Sequence, residues 1–117
     1  NQKIEFLGQI DNKTTLNYIL GSRCIVTATK MYEGQPRLLT EASYLGVPSI
    51  FPKFGGMGEF FPKNYDLVFN QYDYEDLTKK INLLDNAEYL VDVSKDVKKH
   101  IQDVLNLYNK QKVNLFL

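Results

Sequence analysis

The chain has one cysteine, Cys24, among 117 residues, so no disulfide can form within it. That scarcity fits a reducing compartment. Neither sign of charge is in excess, since 14 basic and 14 acidic residues give a formal net charge of zero. A nucleic-acid binder held by bulk electrostatics is therefore not expected. No apolar run approaches the roughly 20 residues that span a bilayer. The start carries no signal-peptide pattern, and no internal repeat, low-complexity tract or cluster of metal-ligating residues is visible. The single histidine, His100, stands among lysines in a helical stretch and is expected on the surface.

What is present is ordinary for a soluble globular domain, with 44% hydrophobic and 24% charged residues. The length predicts one domain over 1–117, with residues from about 86 onward forming a C-terminal helical segment. Ile4-Glu5-Phe6-Leu7-Gly8 reads as a short strand. A helix is expected over Asn12–Leu20, with Asp11 or Asn12 as N-cap, Gly21 beyond its end, and Leu16, Ile19 and Leu20 facing inward. The β-branched, nearly all apolar run 23–28, with Cys24 in the core, suits a strand covered on both faces. A helix from about Pro36 to Leu45 should close at Gly46, with Leu38, Leu39, Ala42 and Leu45 on its buried stripe and Glu41 bordering it. Further strands are expected over 47–51, starting at Pro48, and over 67–69. Between them lies a glycine-rich loop at Phe54–Glu59, leading into a short helical turn.

A helix capped at Asp73 should then bury Leu77, Ile81 and Leu84, with Tyr65, Tyr72 and Tyr74 packing around the last strand. A long helix from about Glu88 to Lys112 should bury Val93, Val97, Ile101, Val104 and Tyr108. The apolar tail 113–117 should pack rather than trail. Strands alternating with helices across short turns predict an α/β fold with a parallel sheet flanked by helices. In such sheets ligands bind at the carboxyl ends of the strands, where both glycine turns fall.

The stretch that organises the rest is Tyr32-Glu33-Gly34-Gln35-Pro36-Arg37-Leu38-Leu39-Thr40-Glu41-Ala42. Pro36 suits the first helical position, Gly34 permits a tight bend, and the unpaired N–H groups of a helix start attract anions. Glu33 and Glu41 bracket the turn. An anion cradle beside a hydroxyl acceptor is what a nucleotide diphosphate-sugar requires. The plainer alternative is a surface carboxylate with an Arg37–Glu41 pair at i, i+4. Arg37 itself reads as a solvated helix-start residue or a phosphate ligand, Gly55-Gly56 as a plain turn or a ligand loop, and Lys30 as a stand-in cation.

This stretch, followed in order by Gly46-Val47-Pro48, Gly55-Gly56, Glu59, Leu67-Val68 and Asp76-Leu77, resembles the donor-nucleotide domain of retaining glycosyltransferases of family 4, which have the GT-B fold. Phe6-Leu7-Gly8 matches the strand that precedes it. The resemblance covers residues 4 to about 85 and implies a Rossmann-like sheet, part of a GT-B C-terminal domain. It implies that Glu41 holds the nucleotide ribose, that Glu33 is the catalytic glutamate near the donor sugar, and that backbone from Gly34 and Gln35 through Pro36, Arg37, Leu38 and Leu39 meets the diphosphate and sugar. Lys30, Gly55 and Gly56 would be loop contacts. No metal or other cofactor is implied.

The resemblance further implies an enzyme moving a sugar from a nucleotide diphosphate-sugar to a glycan or lipid-linked acceptor, as in bacterial surface polysaccharide or capsule assembly. It would act in the cytoplasm, with the inner face of the membrane as a further station of the full-length enzyme. An N-terminal acceptor domain and two strands carrying an Arg and a Lys are absent from this chain. These 117 residues are thus expected to be a piece of a transferase, inactive alone, with strand 4–7 pairing directly with strand 23–28 or the gap closed by a dimer. The alternative is a non-catalytic scaffold, or half of a split enzyme completed by another chain.

Overall fold

A computed structural model of the chain describes residues 4–27, 37–53 and 60–110. Its elements in order are α1 (Asn12–Leu20), β1 (Ile25–Val26), α2 (Arg37–Tyr44), β2 (Ser49–Pro52), β3 (Val68–Phe69), α3 (Tyr74–Leu83) and α4 (Ala87–Lys110). The three strands form one parallel sheet in the order β1-β2-β3, with Ile25 opposite Ser49 and Phe51 opposite Val68. This is the small α/β architecture that the strand–helix alternation predicts, a parallel sheet flanked by helices.

Local chemistry explains where the helices begin and stop. The Asp11 side chain accepts the Thr14 N–H at 2.7 Å and caps α1, and Asp73 does the same for α3 through the Asp76 N–H. Asn86 caps α4 through the Tyr89 N–H at 3.0 Å. At the far end of α2, Gly46 adopts φ +80°. Its N–H donates to Ser43 O, and the Val47 N–H donates to Ala42 O at 2.8 Å. These two bonds form a Schellman close, and Val47 packs against Ala42 across it.

The main core joins Leu39 of α2, Ile50 and Phe51 of β2, and Phe69 of β3 to Val93, Val97 and Ile101 of α4. The α4 stripe is thus the expected one from Val93 to Ile101. α2 packs on α1, β2 and α4, and α3 on β2 and β3. Phe51, Phe61 and Tyr65 form an aromatic cluster, with the Phe51–Phe61 and Phe61–Tyr65 centroids 4.7 Å apart. The Tyr65 hydroxyl donates to Ser49 O and accepts from the Ser49 N–H at 3.1 Å, satisfying both backbone groups of the first β2 residue.

Several expectations need correction. Residues 4–8 form no strand, so they do not pair with β1. Phe6 is 93% exposed, and Gly8 turns the chain at φ +63°. Leu20 is exposed because α1 buries only Ile19. Leu38 points partly outward, and Thr40 and Ser43 share the buried face with Leu39 and Ala42, since small side chains let α2 approach its neighbours closely. Ile81 is exposed because the last turn of α3 carries Leu84 inward instead. Tyr72, at φ +71° in the turn after β3, and Tyr74 are exposed.

Cys24 is half-buried against the core, and its burial pushes the thiol up from its usual range. His100 is half-buried, and its Nε2 is enclosed without a hydrogen-bond partner, because position 100 lies one turn from Val97 beside the apolar stripe. The glycine-rich loop 54–59 and the tail 113–117 lie outside the described residues, as does the Tyr108 side chain.

Burial pushes the Tyr65 and Tyr89 phenols well above the ordinary tyrosine range, with the Tyr89 bond to Asp66 adding to its shift. A raised folded-state pKa favours the protonated native form. Its contribution is whole below about pH 10 and is lost as pH rises beyond that. Tyrosinate absorption should therefore show Tyr65 and Tyr89 ionising late, together with loss of fold. Tyr65→Phe should remove one of the two late ionisations.

Candidate functional site

Parallel strands bring their carboxyl ends to one edge. Thr27, Lys53 and Asn70 follow β1, β2 and β3 there. α2 runs back against the strands, so its first turn, at Arg37, Leu38 and Leu39, opens on that same edge. Leu39 is fully buried there. Glu41 lies one turn further in. Its side chain is 13% exposed, and its Oε2 stands 3.8 Å from Arg37 Nε, whose own side chain is 64% exposed. Glu41 thus borders the core, on the side of Arg37, where helical spacing places it.

The start of α2 differs electrically from that of α3 and α4. The first turn of α3 carries Glu75 and Asp76, and that of α4 carries Glu88, each favourable to the helix dipole. The first turn of α2 carries no acid and one arginine. An anion there would meet the positive end of the helix dipole and a cation, with no acidic side chain of that turn opposing it.

Of the residues singled out from sequence, Arg37, Leu38, Leu39 and Glu41 therefore share the carboxyl edge. Glu33, Gly34, Gln35, Pro36, Lys30, Gly55 and Gly56 lie outside the described residues. Two further residues on the edge were not singled out. Thr27, whose N–H donates to Ile50 O at 3.0 Å, encloses its Oγ1 without a hydrogen-bond partner. Lys53, whose N–H donates to Phe69 O at 2.8 Å, holds an exposed cation at the end of β2. Neither stands out along the chain, because the register of the sheet is what brings the ends of β1 and β2 to one edge.

On the opposite edge, a cleft of about 350 Å³ lies between the segment entering β3 and α4, lined by Lys63, Asn64, Asp66, Tyr89, Asp92 and Asp96 among others. Tyr89 donates to Asp66 Oδ1 at 2.7 Å on its wall. Asp66, Asp92 and Asp96 on its wall repel a diphosphate. Among the described residues, no group of three or more His, Cys, Asp or Glu is placed to hold a metal ion. Nor is any helix among them long and apolar enough to cross a membrane.

The model of the family described as Glycosyl transferases group 1 matches residues 1–100. Neither the curated proteins nor the solved structures offer a match.

Proposed function

Because the chain belongs to the group 1 glycosyl transferases, we propose that it is the donor-binding part of a retaining enzyme of the GT-B fold and family 4 type. Such an enzyme moves a hexose from a nucleotide diphosphate-sugar to a glycan or lipid-linked acceptor. Assembly of a bacterial surface polysaccharide, such as a capsule, in the cytoplasm is the setting that this reading favours. The observation that carries it is the meeting, at the carboxyl edge of a parallel sheet, of an acid-free helix start with the largely buried carboxylate of Glu41.

The chemistry follows from that placement. The departing diphosphate gains negative charge as the glycosidic bond breaks, and a fixed helix start stabilises it without reorganising. The Glu41 carboxylate, which when ionised can only accept hydrogen bonds, takes the ribose hydroxyls. Glu33 orients the donor sugar, and backbone from Gly34 to Leu39 completes the cradle. The reading gives no role to a metal. Acceptor binding falls to a separate N-terminal domain.

Titration with UDP, GDP and dTDP, followed by amide chemical shifts, tests the proposal. Shifts confined to residues 34–42 and 55–59 are expected. Absence of shifts at millimolar nucleotide would favour a non-catalytic scaffold. A second reading, half of a split transferase completed by another chain, draws on the outer edge of β1, which is unpaired among the described residues and leaves Val26 exposed. For that reading, donor shifts should appear only after the partner chain is added.

A further inference from the structure

We propose that Arg37 is a positioning residue for ribose recognition: from the first residue of α2 it holds the Glu41 carboxylate in the orientation that accepts the sugar hydroxyls of the nucleoside. The inference rests on the donor-binding reading and adds to it a residue that acts through Glu41.

Three ion pairs are found among the described residues, and they differ in kind. Arg23–Asp85 at 3.1 Å and Lys99–Asp103 at 2.8 Å join partners that are both mostly exposed. Such pairs contribute little and fix nothing. Arg37–Glu41 alone joins an exposed cation to a carboxylate with 13% of its side chain exposed. Little water reaches that carboxylate, so its orientation depends on the protein groups beside it.

Helix stability does not account for this arrangement. A cation in the first turn opposes the dipole. An arginine four residues before a glutamate is the weaker order of an i, i+4 pair. The Nε–Oε2 distance of 3.8 Å is too long for a hydrogen bond. The pair therefore orients without consuming the acceptor capacity of Glu41, and both carboxylate oxygens remain able to accept a hydroxyl. The Thr40 hydroxyl donates to Arg37 O at 2.9 Å from a buried position, fixing the backbone from which the guanidinium reaches. Features that run against local stability tend to mark functional positions.

The test measures affinity for UDP or GDP, whichever binds more tightly, and for its 2′,3′-dideoxy counterpart. It compares the native chain with Arg37→Ala, Arg37→Lys and Glu41→Gln. Positioning predicts that Arg37→Ala weakens binding of the ribonucleotide roughly three- to tenfold, in the lower part of the coupling seen between contacting residues. The same change should leave the dideoxynucleotide nearly unaffected, and Arg37→Lys should recover part of the loss. An equal loss with both nucleotides would mean a phosphate contact or a merely structural role, and would overturn the inference. So would no loss in Arg37→Ala while Glu41→Gln loses affinity, an outcome that leaves the donor-binding reading intact. A native chain that binds neither nucleotide sinks both. Circular dichroism of each variant should match that of the native chain, since the arginine is exposed.

Discussion

Glu41→Gln is expected to weaken binding of a ribonucleoside diphosphate about tenfold to a hundredfold while leaving the fold intact. A hydrogen bond to a charged group contributes about 1.5–3 kcal/mol, and each 1.4 kcal/mol is about a factor of ten in affinity. Glutamine keeps the size of the side chain, so the packing around it, 13% exposed, should hold. One charged acceptor pair becomes an oxygen and a nitrogen, and the nitrogen cannot accept. The stability change should be small, since the lost partner is an arginine that water already solvates. Isothermal calorimetry for affinity, with thermal unfolding as the control, checks both halves of the expectation. A loss of affinity matched by a loss of fold would mean that Glu41 is structural.

Phe69→Ala should destabilise the chain by about 3–5 kcal/mol, the usual cost of emptying a buried phenylalanine site. Phe69 is 1% exposed, pairs with Pro52 in the ladder, and packs into the cluster that joins β2 to α4. Its carbonyl also accepts the Lys53 N–H at 2.8 Å, so the site edge loses support as well. Domains are stable by about 5–15 kcal/mol in all. The variant should therefore unfold at a much lower urea concentration or fail to fold at 37 °C, roughly body temperature. Phe6→Ala is the matched control. That ring is 93% exposed, and its loss should shift stability by no more than about 0.5 kcal/mol. Equal effects of the two variants would contradict the core described above.

The elements that were legible in the sequence were those with a local signature. Asp11 and Asp73 announced their helices because a carboxylate two or three residues ahead of a free N–H satisfies it without outside help. Gly46 announced the end of α2 because the left-handed turn there excludes most other residues. The Val93–Val97–Ile101 stripe was legible because its spacing repeats over several turns. What misled was the part that depends on neighbours. Residues 4–7 have the composition of a strand, but a strand needs a partner ladder, and this segment pairs with none and leaves Phe6 exposed. Leu20, Leu38 and Ile81 are apolar and correctly spaced, but which flank of a helix is covered depends on what packs there. His100 was misjudged from its lysine neighbours along the chain, although its distance of one turn from Val97 pointed to the covered flank.

The site shows the same division. The position of Glu41 beside Arg37 follows from helical spacing alone, and the pair is where that spacing puts it. Thr27 and Lys53 were not legible, because only the register of the sheet brings the ends of β1 and β2 to one edge. The acidic cleft on the other edge was invisible for a related reason. Asp66 is separated from Asp92 and Asp96 by β3 and α3 along the chain, and α4 must fold back to gather them.

The most direct measurement is a structure of the chain with a nucleoside diphosphate bound. The diphosphate should lie over the first turn of α2, with a ribose hydroxyl within hydrogen-bond distance of a Glu41 carboxylate oxygen. A nucleotide seated instead between Asp66 and Asp92, or at the carboxyl edge with its ribose turned away from Glu41, would contradict the account.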